Sequence, residues 1–281
     1  MRSVVITGAS TGIGLSAAQV LIANGFRVFG SVRKAADAER VTKELGANFV
    51  PLMFDVTDEA AVLAAARQVR EALGGEKLAG LVNNAGIAVA GPSLEVPLDD
   101  YRRQIDINVM GPIIASRAFG PLLGMDTDLK GAPGRIVMIS SVAGINGNPL
   151  TAPYCLSKHA LEGFSESLRR ELLLFGIDVI IIGPAAIKTP IWDKGKQVDV
   201  TVYSNSPYYQ ALQNMRAYMM QLSETALPVE KVGELVHRVL TMPRPKVRYE
   251  ISNQPLQLAL MRILPKRMLD RAIGKRVGLL P

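Results

Sequence analysis

The chain has 281 residues, 48% of them hydrophobic, with a net charge of +7, one cysteine and two histidines. Its apolar content suffices for a sizeable core, Cys155 alone excludes an internal disulfide, and two histidines without nearby thiols leave little for a metal site. Residues 243–281 hold nine Lys/Arg against Glu250 and Asp270, so the tail carries the whole charge excess and the average gives no ground for nucleic-acid binding.

From the N-terminus, one basic residue leads directly into VVIT, without a charged region followed by a cleavable apolar segment. No apolar run reaches the roughly 18–20 residues needed to span a bilayer. The expectation is an intracellular, cytoplasmic protein. SVVIT (3–7) predicts a strand, followed by a helix over about 12–24 that Gly25 ends as a C-cap would. FRVFGSV (26–32) predicts a second strand, a short helix follows near 36–45, and NFVPLMFDV (48–56) predicts a third strand. Residues 58–73 are Ala-rich and helical, with Thr57 or Asp58 as the N-cap. LAGLVNN (78–84), a long helical region 99–123, RIVMISS (135–141), a helix 152–175 and IDVIIIG (177–183) continue the rhythm. Short apolar strands alternating with helices predict βαβ units in a doubly wound parallel β-sheet, an α/β Rossmann fold.

The rhythm breaks beyond Pro190. Residues 190–225 mix Trp192, Tyr203, Tyr208, Tyr209, Met215, Met219 and Met220 with polar residues, as a lid over an apolar substrate would. A helix 228–241 and a last strand, KVRYEI (246–251), return to the pattern. One domain over 1–253, with a separate C-terminal segment 254–281, is the expected organisation. In that segment Leu256, Leu260, Ile263 and Leu264, then Met268, Leu269 and Ile273, recur at helical spacing on either side of Pro265, with six Lys/Arg interleaved. Two readings stay open: the apolar face packs over the substrate cleft or a partner subunit, or the segment lies peripherally on an anionic membrane.

TGASTGIG (7–14) sits between the first strand and the first helix. Gly8 permits a tight turn, Gly12 lets backbone approach a pyrophosphate, and Gly14 lets helix and strand pack closely. Ser10, Thr11 and Ile13 complete this cofactor-binding turn, and the helix N-terminus supplies free N–H groups and a positive dipole end. The second strand ends GSVRK, with Ser31, Arg33 and Lys34 where an NAD(H) site places an acid. A carboxylate would repel a 2′-phosphate and a guanidinium binds it, so NADP(H) is expected over NAD(H). Asp55 and Val56 end the third strand, where Asp55 either accepts from an adenine amino group or caps the next helix. Asn84, Ala85 and Gly86, in NNAG, form a turn able to flank adenosine.

In SSVAGINGNPLTAPYCLSKH (140–159), Tyr154 and Lys158 are four apart and share one helix face. A phenol with a pKa near 10 is a poor base at neutral pH, and a nearby ammonium is expected to lower it. So tuned, it gives a proton to a ketone oxygen or takes one from an alcohol. Ser140 or Ser141, at the C-terminal end of the fifth strand, stands where open α/β sheets bind ligands.

TGASTGIG, DVTD, NNAG, Asn108, Ser141 and YCLSK together resemble the short-chain dehydrogenase/reductase family in its single-domain branch, closely over about residues 1–190. SVRK, the long lid and the basic apolar tail are similar to the branch containing retinol and 17β-hydroxysteroid dehydrogenases. The resemblance implies that Ser141, thirteen residues before Tyr154, is the catalytic serine. It implies also that Asn108 holds a water through which Lys158 relays protons, and that Tyr154 and Lys158 touch the nicotinamide ribose. Pro184, Ile187 and Thr189 then border the nicotinamide, with Thr189 on its carboxamide. Ala185 replaces the glycine common in that segment and limits positive φ. The family pattern further implies a homodimer or homotetramer built on the helices at 99–123 and 152–175.

The expected function is interconversion of a carbonyl and an alcohol by NADP(H)-dependent hydride transfer on an apolar, steroid-, retinoid- or lipid-like substrate, with Val89, Ala90, Ile145 and Leu150 lining the cavity. The alternatives are a reductase of small aldehydes, ketones or 3-oxoacyl thioesters, and a non-catalytic NADP(H)-binding sensor, against which the intact Ser141, Tyr154 and Lys158 argue.

Overall fold

The computed structural model describes residues 1–190 and 199–280. Seven strands, β1 (Ser3–Ile6), β2 (Arg27–Val32), β3 (Phe49–Met53), β4 (Gly80–Asn83), β5 (Arg135–Ile139), β6 (Asp178–Pro184) and β7 (Arg248–Ile251), form one sheet. Their spatial order is β3-β2-β1-β4-β5-β6-β7, and every pairing is parallel. Both faces of such a sheet are covered, so its central strands are near-continuous apolar runs. That is why SVVI and GLVN are buried throughout.

Helices α3 (Glu59–Ala72), α5 (Gly111–Gly120) and α6 (Ala152–Glu171) cover one face through Val62, Val69, Phe119 and Leu161. Helices α1 (Gly12–Ala23), α2 (Ala35–Leu45) and α8 (Glu230–Thr241) cover the other through Leu21, Val41, Val232 and Val236. Gly233 allows α8 to approach α1 closely: a Cβ there would lie 2.9 Å from the Ser16 carbonyl oxygen. Each fully buried Val, Leu, Ile or Phe contributes about 1.5–3 kcal/mol, and the two clusters fix the sheet between the helical layers.

The helical region 99–123 is not one regular helix. After α4 (Leu98–Ile105), residues Asp106–Met110 form a π turn, α5 follows, and a second π turn spans Pro121–Met125. Pro112 has no N–H to offer the Asn108 carbonyl four residues earlier, which explains why the α register fails there. Helix α6 tightens into a 3₁₀ turn at Leu172–Phe175 and ends at Gly176 with φ 66°. Asp58, not Thr57, caps α3, its carboxylate accepting the Ala61 N–H at 3.0 Å.

Beyond β6, a 3₁₀ turn (Val200–Tyr203) and α7 (Tyr209–Glu224) precede α8; residues 191–198, with Trp192, lie outside the described residues. After β7 come α9 (Pro255–Ile263) and α10 (Lys266–Val277). Among the described residues no helix is long and apolar enough to cross a membrane, and no group of three or more His, Cys, Asp or Glu could hold a metal ion.

Candidate active site

The strand order reverses between β1 and β4, and open α/β sheets bind ligands at such a point, beyond the carboxyl ends of the strands. The turns following those two strands meet there. Gly8 and Gly12 adopt φ of 68° and 58°, a region costly for any side chain. A Cβ at Gly14 would lie 2.3 Å from the Gly8 carbonyl oxygen and 2.5 Å from Asn84 Nδ2. Thr7 Oγ1 accepts the N–H groups of Asn84 (2.9 Å) and Ala85 (3.1 Å), and Asn84 Nδ2 donates to the carbonyls of Thr7 and Gly8. The Asn84 side chain therefore braces the glycine turn instead of facing a ligand. Ser31 does likewise: it is buried, and its Oγ accepts the Gly8 N–H at 2.9 Å. Both geometries differ from the ligand contacts expected of those residues.

Helix α1 begins at Gly12, its N-cap Thr11 makes no side-chain capping bond and its first turn holds no acid, so its N–H groups and positive dipole end stay available to an anion. Ser10 holds the approach through its carbonyl, which accepts from Arg40 Nη2 at 2.7 Å, while Ile13 packs into the second core. Arg40 also pairs with Asp37 and Glu44, and so ties α2 to the glycine turn. Its spacing from those acids was readable in the sequence; its reach to Ser10 was not.

At the end of β2, Arg33 is largely exposed and its Nη1 lies 3.4 Å from Asp55 Oδ2, with Lys34 exposed at the start of α2. Asp55 Oδ1 accepts from the N–H (3.1 Å) and hydroxyl (2.9 Å) of Thr57. Burial pushes this carboxyl up, but the Thr57 donors and the Arg33 guanidinium together hold it below its ordinary value. Of the two open readings of Asp55, the helix cap falls instead to Asp58, and the Asp55 carboxylate closes the turn to Thr57. Val56 is buried, and a Cβ at Gly111 would meet its Cγ2 at 2.7 Å.

The next layer is a polar clamp. Asn108 Oδ1 accepts the Ile87 N–H at 2.9 Å, and its Nδ2 donates to the Ile87 carbonyl (2.9 Å) and Ser157 Oγ (3.1 Å). One turn earlier, fully buried Gln104 accepts from Val89 N–H at 2.8 Å and donates to the Ile87 carbonyl and Ser157 Oγ. Together they fix loop 87–89 against α6. Both amide donors of Asn108 are thus committed. A Cβ at Gly86 would lie 3.2 Å from Asn108 Oδ1, so this turn also demands a small residue.

On α6, Tyr154 and Lys158 share a face as their spacing requires, but not in the manner expected. Lys158 Nζ donates to the Ile139 carbonyl at 2.8 Å and lies 5.9 Å from the Tyr154 ring centroid. Burial raises the phenol pKa, against the lowering influence of Ser141, in place of the lowering expected from the ammonium. Lys158 titrates at about 8, lowered by burial and partly restored by Glu162. Ser141 Oγ accepts the Ala143 N–H at 3.1 Å and donates to the Pro184 carbonyl at 3.5 Å, and of the serine pair it is the one beside Tyr154. Ser140 Oγ is buried and finds no partner among the described residues.

Sequence reasoning missed the residue that holds this corner together. Arg248 on β7 donates from Nε and Nη2 to the two carboxylate oxygens of Glu162, at 3.0 and 3.1 Å. Its Nη2 also reaches the Ser141 carbonyl at 3.4 Å, and its Nη1 donates to Glu250, which pairs in turn with Arg262 of α9. The fork geometry fixes α6, the serine turn and β7 relative to one another.

Pro184 ends β6 and Ile187 is buried. Thr189 Cβ would lie 3.5 Å from a Cβ on Gly12, which brings that segment to the glycine turn. Ala185 keeps a negative φ and donates its N–H to the Ile251 carbonyl at 2.9 Å. Around the opening, the Gly91 N–H donates to the Leu150 carbonyl at 2.8 Å, which draws the loops carrying Val89, Ala90 and Leu150 together. Leu150 is buried with φ 61° and packs with Ala211, Leu212, Tyr203, Met215 and Leu279; Ile145 lies in the neighbouring loop. A bulky residue held at positive φ is strained by about 1–2 kcal/mol, a feature that concentrates at ligand sites.

A Gly-rich turn at the strand reversal, with a half-buried Tyr and a buried Lys and Ser across the same edge, defines a dinucleotide-dependent oxidoreductase. A family model described as short chain dehydrogenase matches residues 2–199, and the chain belongs to that family. It is 36% identical over 276 residues to an NADPH-dependent 3-dehydrocapnine reductase of Ornithobacterium rhinotracheale, covering 98% of this chain and 97% of the relative. Human retinol dehydrogenase 5 is 33% identical over 263 residues, covering 88% of this chain and 79% of that protein. The crystal structure of a short-chain dehydrogenase from Streptomyces avermitilis superposes with a TM-score of 0.77 at 24% identity, over 99% of this chain and 97% of that one, a likeness of fold.

Proposed function

We propose that the protein uses NADP(H) to interconvert a carbonyl and an alcohol on an apolar, steroid-, retinoid- or lipid-like substrate. The observation that carries the reading is half-buried Tyr154 with buried Ser141 and Lys158 beside it, across the crevice from the glycine turn. The crevice suits a dinucleotide: Gly8, Gly12 and Gly14 leave a cradle that a Cβ would fill, α1 presents uncapped N–H groups, and Arg33 and Lys34 stand at the end of β2. An NADPH-dependent relative and a retinol dehydrogenase among similar proteins support both the cofactor and the apolar substrate.

When bound, NADPH supplies the hydride. Tyr154 Oη gives its proton to the carbonyl oxygen, and a phenol kept protonated by burial is matched to that direction of reaction. Ser141 Oγ donates a second hydrogen bond to the same oxygen and orients it. Lys158 holds the nicotinamide ribose and returns a proton to Tyr154 through water held at Asn108. Thr189 orients the carboxamide; Pro184 and Ile187 bound that pocket. Residues 199–225, which fold back so that Ser206 meets Glu95 at 2.8 Å and Tyr203 lies against Gly91, serve as lid.

Lys158 carries a pH prediction. Its folded-state pKa of about 8 lies below its ordinary 10.5, so ammonium is lost as pH rises through about 8. Across the window between those values the unfolded chain binds more protons, and this group's contribution to stability rises with pH. NADPH affinity, read by nicotinamide fluorescence, is expected to weaken above about pH 8 and to stay level in Lys158→Met. A flat wild-type profile would remove Lys158 from cofactor binding.

Assembly is proposed on the outer faces of α4–α6. Met110, Leu156, Leu173 and Leu174 are exposed there, as an interface between copies would leave them in one chain. Light scattering at micromolar concentration is expected to give a dimer or tetramer; a strict monomer would refute it.

A further inference from the structure

The C-terminal segment divides into two unlike halves. In α10 the inner face is Leu269, Ile273, Gly274 and Val277. Val277 and Gly274 are buried, Asn214 Nδ2 of α7 donates to the Val277 carbonyl at 3.2 Å, and Arg276 lies 3.9 Å over the Tyr218 ring. That half packs on the lid helix. Helix α9 has no buried residue. Leu256, Leu260 and Ile263, at i, i+4 and i+7, are 85%, 56% and 80% exposed on one side of it, and Met268 follows at 57%.

We propose that this face of α9 is a membrane-docking surface that dips into the interface of an anionic bilayer. Three observations favour lipid over other occupants. Helix α9 is nine residues long, so its apolar stripe is far smaller than the roughly 800 Å² per partner of a stable protein interface. It is nevertheless enough to enter the headgroup boundary to about 5–10 Å, as interfacial helices do. The stripe is followed by Lys266, Arg267, Arg271 and Lys275, all exposed and without a carboxylate partner among the described residues. Arg262, beside the stripe, is tied instead to Glu250, which anchors α9 to β7. Lastly, Leu279, just past α10, enters the small cluster with Leu150 and Met215, so the segment that carries the docking face also borders the substrate opening. A substrate dissolved in the bilayer would then enter without crossing water. The docking stands apart from the chemistry of the site and is read without turnover.

The test is sedimentation of the full chain with phosphatidylcholine vesicles, with and without phosphatidylserine. Binding is expected to be at least tenfold stronger with phosphatidylserine and to vanish in high salt. Each of Lys266→Gln, Arg267→Gln and Arg271→Gln should weaken it about fivefold, the equivalent of roughly 1 kcal/mol per basic residue at such a surface. Replacing Leu256, Leu260 and Ile263 by Ser should remove at least nine-tenths of it while circular dichroism and NADPH affinity stay unchanged. Absence of binding at low salt overturns the proposal, as does undiminished binding of the Ser variant. So does a wild type that self-associates through these leucines and ignores lipid.

Discussion

Tyr154→Phe is expected to lower turnover of ketone reduction by about 10²–10⁴-fold, the usual range for a lost general acid, with NADPH affinity unchanged. The substitution keeps the ring over which Lys158 Nζ lies at 5.9 Å and removes only the hydroxyl beside Ser141. Packing on α6 therefore survives, and the loss reports chemistry alone. Ser141→Ala is the companion variant. Without the Ser141 hydroxyl, the one influence holding the phenol pKa down, the phenol becomes a still weaker acid and the carbonyl loses its second donor. Stopped-flow measurement of hydride transfer with saturating NADPH separates these effects from binding. Near-normal turnover of Tyr154→Phe on a verified substrate would remove Tyr154 from the mechanism.

The second large effect is on cofactor choice. Arg33 is two-thirds exposed and its only ion pair among the described residues, to Asp55 at 3.4 Å, is loose, so the guanidinium can turn to a 2′-phosphate at little cost. A hydrogen bond to a charged group contributes about 1.5–3 kcal/mol, so Arg33→Gln should weaken NADPH by roughly 10–150-fold and NADH much less. Arg33→Asp should weaken NADPH further, because a new carboxylate would face both the phosphate and Asp55. Titration calorimetry with the two cofactors reads the difference. Equal losses for NADPH and NADH would mean that Arg33 serves the β2–β3 edge and not the phosphate.

The alternation of strands and helices was legible because each parallel strand is buried on both faces and therefore reads as an unbroken apolar run. The glycine spacing was legible too, since positive φ at Gly8 and Gly12 and the close approach at Gly14 leave no alternative residue. What spacing could not give was direction. Tyr154 and Lys158 share a helix face, yet Nζ turns to the Ile139 carbonyl, a choice made by the end of β5 and not by α6. Ser31 and Asn84 lie where ligand contacts were expected, but the tight turn left orphan N–H and carbonyl groups that claimed their side chains first. Arg248 and Glu162 are 86 residues apart, and nothing local to either announces the pair. The π turn at Asp106–Met110 had a signal, Pro112, whose meaning depends on the partners Asn108 finds in loop 87–89 and α6.

The most direct measurement is NADPH consumption by the purified full chain against a series of apolar ketones of increasing size, with NADH run in parallel. Consumption of NADPH equal to alcohol formed, rising with the apolar bulk of the ketone and at least tenfold slower with NADH, is the predicted result. Tight NADPH binding with no ketone or alcohol turned over anywhere in the series, or a preference for NADH, would contradict it.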